Sequence, residues 1–181
     1  MRAAGTVERD ERLRLFLALE LSDAVTTALG VWRASHLERG RPVESFHVTL
    51  AFLGARPRSE LDRILSALRE SVDETPPFEL EPVGYRETRS VGMLVLRDES
   101  GEASRLALAL QRRLERLGVY RREARLWLPH ITVMRFRERP RLDPPLPPLE
   151  HFAPSGAAAF LSRLRPTGAR YETLESYPFG A

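Results

Sequence analysis

The sequence contains no cysteine and no lysine, and each absence narrows what the chain can be. Without cysteine it forms no disulfide scaffold, no thiolate nucleophile and no cysteine-based zinc site, and the composition suits a reducing, cytoplasmic location. All 28 basic side chains are arginine, whose planar guanidinium binds phosphate oxygens in pairs. A polyanionic partner is one explanation, and a G+C-rich genome that replaces lysine with arginine throughout is the other.

Long apolar segments are also missing. No run approaches the roughly 20 residues that a membrane-spanning helix requires, and the charged residues 1–12 lack the apolar core of a signal peptide. We expect residues 1–12 to form a flexible tail and residues 13–181 to form one domain. A chain of 181 residues that is 43% hydrophobic can bury a core, which excludes wholesale disorder.

The first half of the chain predicts a strand, a helix and a second strand. Polar and apolar residues alternate over Arg12–Glu20, as in a half-buried strand. Ser22 can cap a helix over Asp23–Glu38, and β-forming residues predict a strand over Ser45–Leu53 that ends at Gly54.

The second half repeats that order. A strand is predicted over Gly92–Leu96, a helix over Glu102–Leu117 and a strand over Trp127–Phe136. This repetition suggests a duplicated lobe that faces its copy. The remaining predictions are a helix from Ser59 to about Val72, a strand over Phe78–Tyr85, an extended Pro-rich connection over Arg139–Pro154, and strands over Ala157–Leu164 and Arg170–Ser176.

The two matching strands carry the same four-residue pattern. His47 and Thr49 in the first correspond to His130 and Thr132 in the second, 83 positions later. Side chains on a strand alternate between faces, so each His shares a face with its Thr while the intervening apolar residues pack behind. A pseudo-two-fold relation between the lobes would bring two imidazoles and two hydroxyls to one cleft.

That set of groups suits phosphodiester cleavage without a metal. One imidazole can take a proton from water and the other can protonate the departing oxygen, because an ordinary histidine pKa of about 6.5 allows one neutral and one charged ring. The hydroxyls of Thr49 and Thr132 can donate to phosphate oxygens. A single His-x-Thr is more often structural, but here two of only four histidines carry the pattern.

Other chemistries find less support. His36 lies late in the first helix and His151 lies in the Pro-rich connection, and neither has a partner pattern. No zinc-ligand spacing, P-loop, Gly-x-Gly-x-x-Gly or Gly-x-Ser-x-Gly motif occurs. We therefore expect no metal and no cofactor.

At these motifs the chain resembles the 2H phosphoesterase superfamily, and within it the RNA 2′,3′-cyclic phosphodiesterases once called 2′-5′ RNA ligases. The resemblance runs from Leu13 to Tyr177. Its most specific parts are Phe46–Gly54 and Pro129–Arg135, where both motifs arrive with family-like flanks, and Gly168–Glu172 resembles the closing hairpin.

The resemblance implies an α+β, bilobal fold in which two antiparallel sheets line a central groove and helices lie outside. It also implies that water opens a 2′,3′-cyclic phosphate at an RNA terminus to leave a 2′-phosphomonoester, and that 2′-5′ RNA ligation follows when a 5′-hydroxyl replaces water. By this analogy His47 is the proton donor and His130 the acceptor. Alternatives are a 2H enzyme acting on a small cyclic nucleotide, on ADP-ribose cyclic phosphate or on a 2′-5′ oligonucleotide, and a non-catalytic RNA-binding module.

Four further residues are candidates for substrate binding. Arg135 matches a recurrent family arginine, but it lies five positions after His130 and should point off the histidine face unless the strand bends. Relatives often carry an aromatic residue in the strand before the third helix, where this chain has Val91–Leu96. Candidates for base stacking are therefore Phe52, Tyr85 and Trp127. We expect a monomer that acts on an RNA terminus or a cyclic nucleotide and not at a membrane.

Overall fold

The structure, a computed structural model, describes residues 10–180. That range contains three α-helices and eight strands. The helices are α1 (Asp23–His36), α2 (Leu61–Asp73, after a 3-10 turn at Arg58–Glu60) and α3 (Glu102–Arg116). The strands are β1 (Arg12–Glu20), β2 (Arg41–Pro42), β3 (Val48–Pro57), β4 (Glu81–Glu87), β5 (Val91–Arg97), β6 (His130–Arg135), β7 (Gly156–Arg165) and β8 (Gly168–Pro178).

The helix limits follow from local capping chemistry. The Ser22 hydroxyl accepts from the Val25 backbone N–H at 3.3 Å and satisfies one free donor of the first turn of α1, as predicted. The same helix ends at His36, two residues before the predicted Glu38. Gly118, with a φ of +71°, follows the end of α3 and takes the left-handed conformation that commonly ends a helix.

The strands form one curled antiparallel sheet in the order β4-β5-β6-β3-β1-β7-β8. The short strand β2 lies outside this order and pairs with the C-terminal end of β6. The two expected antiparallel sheets are its two halves. They meet between β3 and β6, where the pairing consists of a single residue pair, Val48 and Ile131. One half contains β1, β3, β7 and β8, and the other contains β4, β5, β6 and β2.

Most strand limits differ from the sequence prediction, by three residues or more in β3, β4 and β6, where β6 begins at His130 instead of Trp127. Strand β3 does not end at Gly54 but continues to Pro57, because Gly54 adopts a φ of +67° next to a bulge and still pairs with Leu15. Strand β4 begins at Glu81 instead of Phe78, and Leu80 forms an isolated bridge with Phe152 of the Pro-rich connection. That connection otherwise has no helix or strand between residues 139 and 154, as predicted.

The predicted flexible tail lies mostly outside the described residues, at 1–9. Its final part is structured: Asp10 accepts a hydrogen bond from the backbone of Ser59 at 3.4 Å, and Arg12 is the first residue of β1.

Each lobe receives a helix from the other. Helix α1 follows β1 of the first half but reaches the second, where Trp32 packs edge-on against Tyr85 at 6.5 Å. Helix α3 follows β5 of the second half but reaches the first, where the Gln111 amide donates to the Leu50 carbonyl at 2.8 Å. This exchange ties the halves together although their strands share one residue pair.

The helices and the buried sheet face form one apolar core. Its largest fully buried side chains come from both halves, among them Leu15, Leu17, Leu29, Leu94 and Leu110. The opposite sheet face is therefore left for the groove. Over residues 10–180 no helix combines the length and the apolar character needed to cross a membrane.

Candidate functional site

The strand register brings the two motifs together where the sheet halves meet. Val48 is directly opposite Ile131 and the strands are antiparallel, so His47 lies across from Thr132 and Thr49 across from His130. Directly opposite residues have Cβ atoms about 4.5–5.5 Å apart and share one face of the sheet. Both imidazoles and both hydroxyls thus lie on the face opposite the core, as the sequence pattern predicts.

A loop before β3 positions His47, and helix α1 holds that loop. The Arg33 guanidinium donates to the Val43 carbonyl at 2.9 Å and lies over the Phe46 ring at 4.6 Å. Because Val43 and Phe46 flank the approach to His47, these contacts fix where β3 begins.

Three aromatic rings surround the His47 imidazole. The ring centroids of Phe16, Tyr171 and Phe160 lie 4.9, 5.6 and 6.1 Å from that of His47. Burial among these rings, together with the positive charges of His130 and Arg135, lowers the pKa of His47 to about 4. In the free protein at pH 7 only about one His47 ring in a thousand then carries the extra proton.

His130 occupies a different setting. Its Nδ1 lies 2.9 Å from the Leu128 carbonyl oxygen, which can only accept, so Nδ1 carries the proton and donates. The neutral ring then has its lone pair on Nε2. The preceding loop is tied to the other half by Trp127, whose Nε1 donates to the Thr49 carbonyl at 2.9 Å.

A bulge in β6 turns Arg135 toward the groove. Thr132 pairs with Met93 and Arg135 pairs with Val91, so Val133 is an extra residue. Met93 and Val91 are two positions apart and share a face, and therefore Thr132 and Arg135 do as well. The expectation from regular alternation, that Arg135 points off the histidine face, is corrected: the strand does bend.

Strand β3 has a bulge at the equivalent place. Thr49 pairs with Ala18 and Phe52 pairs with Phe16, which leaves Leu50 as the extra residue. Phe52 thus shares the groove face with Thr49, and half of its surface is exposed. Phe52 lies five positions after His47, as Arg135 does after His130, so one bulged position carries a ring in one half and a guanidinium in the other.

The groove divides into two cavities that share Thr49 and Phe52. The cavity on the His47 side has a volume of about 440 Å³ and also contains Thr132 and Tyr171. Among residues 10–180, four arginines and no carboxylate line it; the arginines are Arg14, Arg41, Arg135 and Arg165. Such a lining favours an anion.

The cavity on the His130 side, about 560 Å³, is more apolar. Trp127, Tyr120, Met93 and Leu128 line it together with Phe52, and charged side chains line its remaining wall, namely Arg86, Arg122, Glu123 and Arg125. The Arg14 guanidinium lies over the Phe52 ring, 4.9 Å from its centroid, so a nucleobase that stacks on Phe52 would compete with Arg14 for that ring. Aromatic and apolar walls next to an anion pocket suit a nucleoside attached to a phosphate.

The structure does not bring Tyr85 to the groove. Tyr85 pairs with Leu94, which is fully buried on the core face, and packs against Trp32 of α1. Its hydroxyl donates to Glu87 at 3.1 Å. The interpretation of Tyr85 as a base-stacking residue is therefore corrected, because β4 turns this side chain toward the helices.

Sequence reasoning missed the groove-face residues contributed by the outer strands. Phe16 lies on β1, Phe160 on β7 and Tyr171 on β8, and none was predicted as a site residue. Two signals were available: the alternation in β1, which assigns Phe16 and Arg14 to the same face, and the hairpin segment Gly168–Glu172, which contains Tyr171. His36 and His151 line neither groove cavity. Within residues 10–180, no three His, Cys, Asp or Glu residues cluster as metal ligands would.

Comparison with known proteins agrees with this arrangement. No curated protein sequence matches the chain. The chain is similar to the crystal structure of TT0787 of Thermus thermophilus, at 28% identity and a TM-score of 0.78 over 92% of this chain and 98% of the other. It is also similar to E. coli LigT solved with 3′-AMP, at 25% identity and a TM-score of 0.82 over 94% and 100% of the two chains.

The sequence profile that matches this chain is described as the 2′-5′ RNA ligase superfamily and covers residues 21–170. That span contains both His-x-Thr motifs, the bulged strands that follow them and the three helices. Family, fold and paired motifs therefore agree, and the chain belongs to the 2′-5′ RNA ligase superfamily of 2H phosphoesterases.

Proposed function

We propose that the protein is an RNA 2′,3′-cyclic phosphodiesterase, which hydrolyses a terminal 2′,3′-cyclic phosphate to a 2′-phosphomonoester by metal-independent acid–base catalysis. The observation that carries this proposal is the register of β3 against β6, which sets His47 and His130 diagonally across one residue pair. A phosphate between the rings can then be reached from both sides. With an RNA 5′-hydroxyl in place of water as the nucleophile, the same ring opening forms a 2′-5′ linkage and again releases O3′.

In this proposal His130 is the proton acceptor. The bond from its Nδ1–H to the Leu128 carbonyl leaves the Nε2 lone pair free when the ring is neutral. As water attacks phosphorus, its proton passes to Nε2 of His130. The new P–O bond replaces the P–O3′ bond, so the phosphate stays on O2′.

His47 is the proton donor, and it must be protonated to act. In the free protein its pKa is about 4, lowered by burial and by the charges of His130 and Arg135. A bound cyclic phosphate brings a negative charge into the same cavity, which favours the charged imidazolium and raises the pKa. The substrate thus recruits the proton that His47 delivers to the departing O3′.

The hydroxyls and Arg135 stabilise charge on the phosphate. Thr49 and Thr132 lie on the same face as the rings and can donate to the non-bridging oxygens. Arg135, turned inward by its bulge, adds a planar donor pair of the kind that binds phosphate in two places. Phe52 and Trp127 line the adjacent cavity, where the terminal base would lie.

Nucleotide binding by a similar protein supports the substrate class. E. coli LigT has been solved with 3′-AMP and, at 26% identity, with phosphate. Both ligands carry a phosphate group, and 3′-AMP also carries the base and ribose that a terminal nucleotide would present. The expectations of a cytoplasmic location and of a monomer remain predictions.

A substrate panel tests the proposal. Purified protein is incubated with a cyclic-phosphate-ended oligoribonucleotide, a 2′,3′-cyclic mononucleotide, ADP-ribose 1″,2″-cyclic phosphate and a 2′-5′ dinucleotide, and the products are identified by phosphorus NMR. We expect a 2′-monophosphate from the oligoribonucleotide, with turnover unchanged by chelator. His47→Ala is the matched inactive control.

Other results would redirect or remove the assignment. Turnover confined to ADP-ribose cyclic phosphate or to the 2′-5′ dinucleotide would replace the RNA substrate while keeping the reaction class. A 3′-monophosphate product would mean that O2′ departs. RNA binding without turnover of any member of the panel would identify a binding module in place of an enzyme.

A further inference from the structure

A second arginine-lined cavity opens next to the site. It has a volume of about 740 Å³ and shares Arg41 and Arg135 with the His47 cavity. Arg39 and Arg137 extend it away from the histidines. We call these four side chains, Arg39, Arg41, Arg135 and Arg137, the arginine ladder.

The ladder is built by strand pairing. Arg41 of β2 is directly opposite Arg135 of β6, and Arg39 and Arg137 lie two residues farther out on the two segments. Like charges directly opposite in a strand pair destabilise it. The chain nevertheless places two arginines opposite each other at this position, and Arg41 Nη1 donates to the Thr167 carbonyl at 3.2 Å. An anion between the two guanidinium groups would offset their repulsion.

Carboxylates do not neutralise the ladder. Among the ion pairs formed within residues 10–180, none involves any of its four arginines. Arg139, which lines the same cavity, is different because it pairs with Glu87. One carboxylate, that of Glu138, is part of the lining.

Gly40 allows the two segments to come this close. Its φ is +109°, and a Cβ there would lie 2.7 Å from the Arg135 carbonyl oxygen and 2.7 Å from the Phe136 ring. The far wall is fixed by the buried Glu87 carboxylate, which accepts from the backbone N–H groups of Arg141 and Leu142 at 2.8 Å each. The ladder thus lies on a constrained backbone.

We propose that the arginine ladder binds the phosphodiester backbone of the RNA beyond its terminal cyclic phosphate, so that oligoribonucleotides are preferred over cyclic mononucleotides. This inference rests on the proposed function, which places the reacting phosphate at the inner end of the ladder. Arg41 and Arg135 serve both cavities, whereas Arg39 and Arg137 touch only the RNA chain.

The test compares two substrates and two matched variants. The double variant Arg39→Gln/Arg137→Gln, called the outer-rung variant, removes the two ladder arginines that lie farthest from the histidines. The control variant, Arg63→Gln/Arg116→Gln, removes two exposed charges from a cavity between α2 and α3. For the outer-rung variant we expect KM for a cyclic-phosphate-ended decaribonucleotide to rise about tenfold or more. Its kcat/KM for the cyclic mononucleotide should match that of the control variant.

Salt dependence provides a second readout. Each lost contact between an arginine and a single-stranded phosphate reduces the slope of log affinity against log salt by about 0.7. The outer-rung variant should therefore lose about 1.4 units of slope relative to the wild type.

Glu138→Gln removes a negative charge from the same cavity, so it should tighten binding of the decaribonucleotide, whereas the outer-rung variant should weaken it. Thermal unfolding of each variant checks that its fold is intact.

Binding of a 2′-phosphate-ended decaribonucleotide, followed by fluorescence anisotropy, separates this inference from the proposed function because it needs no turnover. Equal kcat/KM for both substrates in the wild type would overturn the ladder's role, as would an outer-rung variant that binds like the control. Absence of turnover on either substrate would overturn the proposed function, while ladder-dependent binding would still support the RNA-backbone site.

Discussion

The two halves of the groove carry the same motif in different surroundings. His47 is enclosed by Phe16, Phe160 and Tyr171, and its pKa is lowered to about 4. His130 is fixed by a single hydrogen bond from its Nδ1 to a backbone carbonyl. The duplicated strands thus place the two histidines in equivalent positions. The aromatic neighbours from β1, β7 and β8 surround only His47 of the two and lower its pKa.

The same contrast appears five residues after each histidine. Corresponding bulges turn Phe52 and Arg135 onto the groove face, so one half presents a ring and the other a guanidinium. A symmetric scaffold thus gives an asymmetric site: four arginines line the His47 cavity, whereas the His130 cavity combines aromatic and apolar walls with charges of both signs. A nucleotide is asymmetric in the same way, with a base at one end and a phosphate at the other.

Removing either imidazole should have the largest effect. We expect His47→Ala and His130→Ala each to lower kcat by about 10²–10⁴, the usual contribution of a positioned acid or base. The two changes should be far from additive in the double variant, because the rings act on one phosphate. Hydrolysis of a cyclic-phosphate-ended oligonucleotide measures this, and near-normal activity in either single variant would exclude a two-imidazole mechanism.

The lowered pKa of His47 should make the free energy of unfolding depend on pH. The folded-state pKa of His47, about 4, lies below its unfolded value of about 6.5. Between these values the unfolded chain binds the extra proton, so the free energy of unfolding should fall by up to about 3 kcal/mol as the pH drops from 7 to 4.

Urea unfolding at several pH values measures this decrease. His47→Gln, which does not titrate in this range, is the control and should lose correspondingly less stability than the wild type. Identical pH dependence in the two proteins would show that burial does not lower the pKa of His47.

The two hydroxyls should each contribute less than an imidazole. Thr49→Val and Thr132→Val each remove a donor to the phosphate without changing the side-chain shape. We expect kcat/KM to decrease by about 1–3 kcal/mol of transition-state stabilisation in each case. Steady-state kinetics with unchanged thermal stability checks this, and a Thr variant with full activity would remove that hydroxyl from the mechanism.

Substitutions at the two bulged positions, Arg135 and Phe52, should have the smallest effects. The first should change the pKa of His47 and the second should change nucleotide binding. Arg135→Gln should raise the pKa of His47, because a positive charge that lowers it is removed. Phe52→Leu should leave that pKa unchanged and weaken nucleotide binding by about 1 kcal/mol through lost stacking. NMR titration of the His47 ring, combined with binding of a mononucleotide, distinguishes them; an equal pKa change in both variants would contradict the assignment.

The sequence predicts the core of the site well because the pattern is local. His47 and Thr49, like His130 and Thr132, share a face by strand alternation alone, and the repeated order of elements places the two strands in equivalent positions. Once the two lobes face each other, these equivalent strands lie side by side and Val48 can pair with Ile131.

The remaining features depend on contacts that local patterns do not encode. One extra residue at Val133 reverses the direction of Arg135, and a bulge is invisible in an unbroken run of β-forming residues. Tyr85 is aromatic and lies on a strand, but which face it occupies depends on the pairing of β4 with β5. The rings around His47 come from β1, β7 and β8, far apart in the sequence.

Titration of the histidine rings with adenosine 2′-monophosphate, followed by NMR at constant pH, tests most directly whether both imidazoles contact one phosphate. We predict that the signals of His47 and His130 shift together with one midpoint. A pH titration of the saturated complex should then give His47 a pKa above the value of about 4 that it has in the free protein. His36 and His151 are internal controls and should not respond. A shift confined to one ring of the pair, or two separate midpoints, would contradict the account.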